Sequence, residues 1–313
     1  MSVSVIIPVH NQEKTIGKAI ESALSQRAAD IEVIVINDGS DDRTVEIVRR
    51  YESRVKIINH NQKLGLYNSR FDGITAASGD WITFLDGDDV ISPSAIADCL
   101  STANATGADI IQMRIKRRFN RLGFTTGLRH QQYNIDKAFD SVIYNYRLFP
   151  VQCWGKLYKS TLLKHLGDNH IAYSGMWGED RLFNLPIFAK SPNISICNQA
   201  KYIYCWGGFT TKQTDCLSEY VTVESLKRMF LNDNGLMNDR ISRQMKMELI
   251  KTIRYGTRQL IDSGQSRRQI IDRLANCGVD YSDSGINTGP IAIYNQSKYS
   301  VARIAKRLIR TLL

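Results

Sequence analysis

No apolar run in this 313-residue chain approaches the roughly 18–20 residues that a membrane-spanning helix requires. The first residues, MSVSVIIPVHNQEK, carry too short an apolar stretch for a signal sequence and no preceding positive charge, so no cleaved leader is expected. Six cysteines (Cys99, Cys153, Cys197, Cys205, Cys216 and Cys277) form no C-x-x-C pair. That argues against a disulfide framework and for reduced thiols in a cytoplasmic protein. The segment 8–13, after the first apolar run, contains no glycine, and no G-x-x-x-x-G-K-[ST] occurs anywhere. The dinucleotide fingerprint and the phosphate-binding P-loop are both excluded. Internal repeats and low-complexity tracts are absent too.

What is present is a globular composition, 43% hydrophobic and 23% charged. The net charge is +10, unevenly spread: −5 over residues 1–100, +7 over 101–200 and +8 over 201–313. Such an acidic head is unlike a protein that coats nucleic acid, and no nucleic-acid partner is expected. A nucleic-acid-binding module would also leave a conspicuous aspartate cluster unexplained.

Apolar, β-branched runs at 3–9, 32–37, 55–59, 81–85 and 109–115 read as strands. Helical spacing fills the intervals: one helix from near Gln12, capped by Asn11; one through Val45, Val48 and Tyr51; one after Gly65, ended by Gly79; and one opened by Ser92-Pro93. Strand starts 23 to 29 residues apart, alternating with helices, are the signature of βαβ units. The expected fold is α/β, a Rossmann-like, mostly parallel sheet flanked by helices. Further along, a helix over 136–147, a short strand over 151–158, a helix over Glu179–Ala189 and a strand over 194–206 are expected. Residues Leu217 to Cys277 read as helical, with Met229, Phe230, Met245, Leu249, Ile253 and Leu260 as core candidates.

Ligands in such sheets sit beyond the carboxyl ends of the strands. The loops there are Pro8–Glu13, Asn37–Asp41, Asn59–Arg70 and Asp86–Asp89. The last, Asp86-Gly87-Asp88-Asp89, crowds three carboxylates into four residues. Like charges this close repel unless a cation joins them, and hard oxygen ligands suit Mg²⁺ or Mn²⁺ bridging to phosphates. A solvated Asp-Gly turn would use the same residues, but the position at a strand end favours the metal site. The polar loop 8–13 has the side chains to grip a base or ribose, or simply to start a helix. Asp38 can accept hydrogen bonds from a nucleoside or cap a turn. Glu179 and Asp180 at a helix start are either a cap favoured by the helix dipole or a source of a general base.

Together, VSVIIPVHNQEKTIGKAIESALSQ, EVIVINDGSDDRT, GLYNSRFDGITAASGDWITFLDGDD, and WGKLYKSTLL followed by GED resemble the family 2 glycosyltransferases of the GT-A fold, as found in bacterial surface polysaccharide biosynthesis. The likeness is close over residues 1–100, patchy over 150–205 and absent beyond about 215. It implies a nucleotide-sugar donor, usually UDP-linked, bound with Mn²⁺ or Mg²⁺, and transfer to an acceptor hydroxyl with inversion. By position, Pro8, His10, Asn11, Glu13 and Asp38 would surround base and ribose, with Arg70 near the nucleotide. Asp86 and Asp88 would form the D-x-D motif, Asp88 as metal ligand and Asp86 on ribose or metal water. Asp180 would be the catalytic base, and Glu179, Lys156 and Trp177 are candidates for acceptor contact or a supporting role. His10 stands where many relatives have Tyr. The Q-x-x-R-W motif of processive synthases is missing. A nucleotidyltransferase-like enzyme is the alternative, but it would want a basic, Gly-rich loop near the N-terminus.

The expected organisation is a GT-A domain over 1–215, with 1–108 for the donor and 109–215 for the acceptor, then a helical region over 216–313. Its end, SKYSVARIAKRLIRTLL (297–313), sets Val301, Ile304, Leu308, Ile309 and Leu312 on one helical stripe. Lys298, Arg303, Lys306, Arg307 and Arg310 add five positive charges and no acid offsets them. A basic amphipathic helix of this kind reads as membrane-surface binding. A glycan or lipid-linked acceptor and a peripheral place on the inner face of the cytoplasmic membrane are the matching expectations.

Overall fold

The computed structural model describes residues 1–249, except 28–29, 120–124, 128–134, 145–147, 167–170, 172, 174, 176 and 207–216, together with 266 and 269. The chain divides into two compact units, Met1–Ser141 with Arg147–Gly208, and Val142–Tyr146 with Phe209–Leu313.

The first unit is built on βαβ repeats. Strand β1 (Val3–Val9) is buried along its whole length, as its unbroken apolar sequence requires. Helix α1 (Ile16–Leu24), β2 (Ile31–Asp38), α2 (Thr44–Arg49), β3 (Lys56–His60), α3 (Leu66–Ala76) and β4 (Trp81–Phe84) follow. Next come the two-residue β5 (Val90–Ile91), α4 (Ala95–Thr106), β6 (Ile110–Phe119), β7 (Thr125–Gly127) and α5 (Ala138–Ile143). Then β8 (Lys156–Lys159), α6 (Ser160–Lys164), α7 (Glu179–Ala189) and β9 (Ile194–Trp206) complete the unit. Among the described residues the sheet has nine strands in the order β3-β2-β1-β4-β8-β6-β9-β5, with β7 on β6. β1 pairs in parallel with β2 and β4, as do β2 with β3 and β6 with β9. β8 is antiparallel to both β4 and β6. Six of the nine strands therefore point the same way, the mostly parallel sheet that the βαβ spacing predicts.

Several boundaries differ from the sequence reading, each for a local reason. Pro8 belongs to β1, paired with Ile36, rather than to the loop. The Ile6 carbonyl faces β4 and accepts from Leu85 N–H at 3.0 Å. Two residues on, the backbone nitrogen of Pro8 faces the same edge where β4 has already ended, so no ladder donor is missed there. The first helix starts at Ile16, not near Gln12. Residues 12–15 form a turn in which the Gln12 carbonyl accepts from both Thr15 and Ile16, and Asn11 sits at φ 53°. Helix α4 opens at Ala95 with Ser94 before it, its hydroxyl bonding Asp98, so Ser92-Pro93 precedes the helix. Gly79 does not end α3, which stops at Ala76. A Cβ on Gly79 would lie 2.7 Å from the Ser4 backbone nitrogen, so glycine serves close approach to β1 there.

The second unit contains α8 (Leu217–Asp233) and a helix over 239–249. Met245 and Leu249 are buried as expected, but Met229 is 58% exposed and Phe230 only half-buried. Lys227 fills that interior instead, bonding the Ile143 carbonyl and Glu224. Ile253, Leu260 and the basic tail 297–313 lie outside the described residues. Among the described residues no helix is long and apolar enough to cross a membrane.

Candidate active site

The candidate site lies in the first unit, at the carboxyl ends of β1, β2 and β4 and at the start of α7. Two of its loops are fastened to each other. The backbone N–H groups of Asn11, Gln12 and Glu13 donate to Ser40 Oγ, Thr44 Oγ1 and Asp42 Oδ2 at 2.8–3.1 Å. In return, Asn11 Oδ1 accepts from Asp41 N–H at 2.9 Å, and Glu13 Oε2 accepts from Arg43 N–H and Nε. His10 Nδ1 lies 2.8 Å from the Asp38 carbonyl. Asn11 and Glu13 thus bind the two loops together and shape the rim, and Asn11 remains exposed.

Asp38 is 3% exposed and its carboxylate faces inward. Oδ1 accepts from Leu64 N–H at 2.7 Å and Oδ2 from Gly65 N–H at 2.9 Å. His60 bridges Asp38 Oδ1 and Asp72 Oδ2, both at 2.9 Å. Asp38 therefore anchors the loop that starts α3, and through it the helix that carries Arg70.

Arg70 is the hub. Its side chain is 1% exposed and its guanidinium meets three carboxylates: Asp86 at 3.5 Å, Asp180 at 3.3 Å and Glu179 at 3.8 Å. These acids keep an edge to solvent, at 22%, 20% and 11% exposure respectively. A buried cation with an acidic rim results, joining residues more than a hundred positions apart. Asp180 Oδ1 takes a second donor, the Cys153 N–H at 2.8 Å.

The acids outnumber the cation, and burial makes this costly. Burial pushes the Asp86 carboxyl up to about 7, with Arg70 opposing and Asp88 and Asp180 adding to the rise. Burial likewise raises Asp88, and raises Glu179 with help from Asp180. Burial, Asp86 and Asp88 push Asp89 up to about 8. Asp86 Oδ1 is buried, with Arg70 Nη2 at 3.5 Å too poorly placed for a good hydrogen bond, and no ion pair to Asp88 occurs among the described residues. Two carboxylates on one loop, one with a buried oxygen that makes no hydrogen bond and only a long ion pair, suit a hard divalent cation that takes its remaining ligands from water and phosphates. Among the described residues no three or more His, Cys, Asp or Glu side chains are grouped to hold a metal alone. The residues present fit a cation shared with a bound nucleotide. Gly87 keeps the loop close to β1: a Cβ there would meet Gln12 Oε1 at 2.2 Å and Val9 Cγ2 at 3.1 Å.

Sequence reasoning missed three partners of this loop. Asp89 is 1% exposed and accepts from Tyr202 Oη at 2.8 Å and Cys205 N–H at 2.7 Å. The same Tyr202 hydroxyl accepts from Asp86 N–H at 3.2 Å. Trp154 stacks on Tyr202 and Tyr204, with centroids 4.6 and 5.5 Å away. Strand β9 thus braces the aspartate loop, a contact across 116 residues that leaves no periodic signal in sequence. Lys156 is wholly buried, so direct acceptor contact is closed to it. Trp177 is half-buried, and its carbonyl accepts from Tyr173 Oη at 2.7 Å.

A mostly parallel sheet without a phosphate loop, with paired acids at its strand ends and a second acidic pair facing them, is an arrangement of the GT-A kind. The sequence model of glycosyl transferase family 2 matches residues 4–167, and the chain belongs to that family. Glu179 and Asp180 lie beyond the matched range. Among curated proteins the chain is similar to an uncharacterized glycosyltransferase, EpsJ, of Bacillus subtilis. The two are 30% identical over an alignment of 225 residues that covers 64% of this chain and 60% of EpsJ. It is also similar to the cholesterol galactosyltransferase of Borreliella burgdorferi, 28% identical over 64% of this chain and 59% of that protein. The chain therefore spans less than two thirds of these relatives. Its fold is that of Staphylococcus aureus TarS, solved in complex with UDP-GlcNAc: TM-score 0.67 at 20% identity, covering 88% of this chain and 80% of the other.

Proposed function

We propose that this chain is an inverting glycosyltransferase that moves a sugar from a UDP-linked donor to an acceptor hydroxyl in polysaccharide biosynthesis. The observation that carries the reading is the convergence of Asp86, Glu179 and Asp180 on Arg70, beside Asp88, at the carboxyl end of the sheet. Family membership and the UDP-GlcNAc complex of TarS support the donor class.

Asp88, with Asp86, would hold Mn²⁺ or Mg²⁺, whose charge offsets that of the departing diphosphate. The loops of His10, Asn11 and Glu13 line the nucleoside end, with Pro8 beneath them in β1. Asp38 acts from within by fixing the loop before Arg70. Asp180 Oδ1 is held by Cys153 N–H and Arg70, which leaves Oδ2 to take the acceptor's proton. The acceptor oxygen bonds the anomeric carbon as the bond to the diphosphate breaks, and the proton goes to Asp180. A positioned base of this kind is typically worth about 10²–10⁴ in rate. One base and no enzyme nucleophile give single displacement, hence inversion.

Thermal unfolding with UDP and a panel of UDP-sugars, with and without Mn²⁺, tests the donor class. Stabilisation that requires both nucleotide and metal is expected, by about 2.7 kcal/mol at a hundredfold excess over Kd. No response to any UDP compound at millimolar concentration would sink the proposal.

The acceptor is proposed to be a lipid-linked or growing surface glycan met at the inner face of the cytoplasmic membrane, with residues 297–313 binding the surface. Each basic residue near an anionic surface contributes about 1 kcal/mol. Removing 297–313 is expected to abolish co-sedimentation with anionic vesicles while leaving UDP-induced stabilisation intact. Equal sedimentation of both forms would remove the tail from this role.

A further inference from the structure

Lys156 is an unusual lysine. Its side chain is fully buried, and the acceptor of its ammonium is a backbone carbonyl, that of Gln152, at 2.6 Å. Phe149 lies beneath it, with Nζ 5.4 Å from the ring centroid, an arrangement that favours a cation. Among the described residues no carboxylate comes within ion-pair distance of this ammonium, and its costly burial pushes it down to about 7, with Cys153 and Asp180 opposing from farther off. Something must recover the cost.

The Gln152 carbonyl and the Cys153 N–H belong to one peptide group. The carbonyl accepts from Lys156, and the N–H donates to Asp180 Oδ1 at 2.8 Å. In a trans peptide these two groups point in opposite directions, so a donor on one side and an acceptor on the other lie in line. We propose that Lys156 is a positioning residue that acts on Asp180 through the 152–153 peptide, polarising it so that its N–H grips the Asp180 carboxylate. Hydrogen bonds in a chain strengthen one another, and the effect is larger at low local dielectric. The surroundings hold this peptide in place. Tyr158 Oη donates to the Cys153 carbonyl at 3.2 Å, and Asn184 Nδ2 donates to the Val151 and Asp180 carbonyls at 2.8 and 3.1 Å. The ammonium's charge thus reaches the site without the lysine entering it. The inference rests on Asp180 being the base only for its catalytic consequence; the relay itself is testable without turnover.

Gln152-Cys153 is the single Gln-Cys step in the sequence. Protein labelled with ¹³C-carbonyl glutamine and ¹⁵N-cysteine therefore gives one carbonyl–amide correlation, that of this peptide. In the wild-type chain its amide proton is expected far downfield. Lys156→Met should move it upfield, and Lys156→Gln, which keeps a neutral donor, should move it part of the way. Asp180→Asn should also move it upfield, from the other end. With the donor found by the UDP-sugar screen, Lys156→Gln should lower kcat roughly tenfold and leave the donor KM unchanged. A peak unmoved in folded Lys156→Gln overturns the relay. A moved peak with unchanged kcat leaves the relay standing and refutes Asp180 as base. If Lys156→Met fails to fold, Lys156→Gln and Asp180→Asn still decide the question.

Discussion

Asp180→Asn is expected to reduce sugar transfer by about 10²–10⁴ while donor binding survives. Asparagine keeps the shape of the side chain and an oxygen to accept from Cys153 N–H. Arg70 retains Asp86 and Glu179, so the buried guanidinium is not stranded. What is lost is the carboxylate proposed to take the acceptor's proton. The check is transfer rate measured beside UDP-induced thermal stabilisation. Transfer near the wild-type level, with binding intact, would move the base elsewhere, and Glu179 at 11% exposure would be the next residue to test.

Asp88→Ala is expected to have an opposite pair of effects on stability. Burial raises the Asp88 carboxyl above the usual aspartate range. A carboxyl whose folded pKa lies above its unfolded one costs stability once the pH exceeds the unfolded value, because the folded state holds the charge less willingly. At pH 7 the metal-free Asp88→Ala chain should therefore melt higher than the wild type. The added stability from UDP with Mn²⁺ should disappear, since the proposed metal ligand is gone. Thermal unfolding of both proteins, with and without nucleotide and metal, reads both effects. Full metal-dependent stabilisation in Asp88→Ala would remove Asp88 from the metal site. The raised melting point is the signature of a residue kept for function at the expense of the fold.

How much of this was legible in sequence differs from element to element. Strands β1, β2 and β4 are readable because parallel strands buried on both faces are continuous apolar runs, and VSVIIPV or EVIVIN admits little else. Helix α7 was placed at Glu179–Ala189 because a paired acid opens an apolar stretch there. Helices α1 and α4 start four and two residues later than the capping pattern places them, since Asn11 instead bonds the neighbouring loop at Asp41 and Ser92 Oγ accepts from Lys201 N–H of β9. Met229 was read as core from its type alone, and only packing reveals that its side of α8 is open.

The sequence by itself determined the alternation of strand and helix, the aspartate cluster at the end of β4 and the acidic pair that opens α7. Each is a local pattern, carried by neighbouring residues and by the hydrophobic period. Tertiary structure alone decided that Arg70 stands between Asp86 and Asp180, that Asp38 faces inward, that Tyr202 braces Asp86 and Asp89, and that a peptide group lies between Lys156 and Asp180. Those contacts join residues from 16 positions apart, Arg70 and Asp86, to 116 apart, Asp86 and Tyr202, leaving aside the short step between Lys156 and Gln152. They depend on strand order and register. A register shift of one residue would turn the strand side chains of Asp38, Lys156 and Tyr202 to the opposite face of the sheet, and no local pattern records which face was chosen.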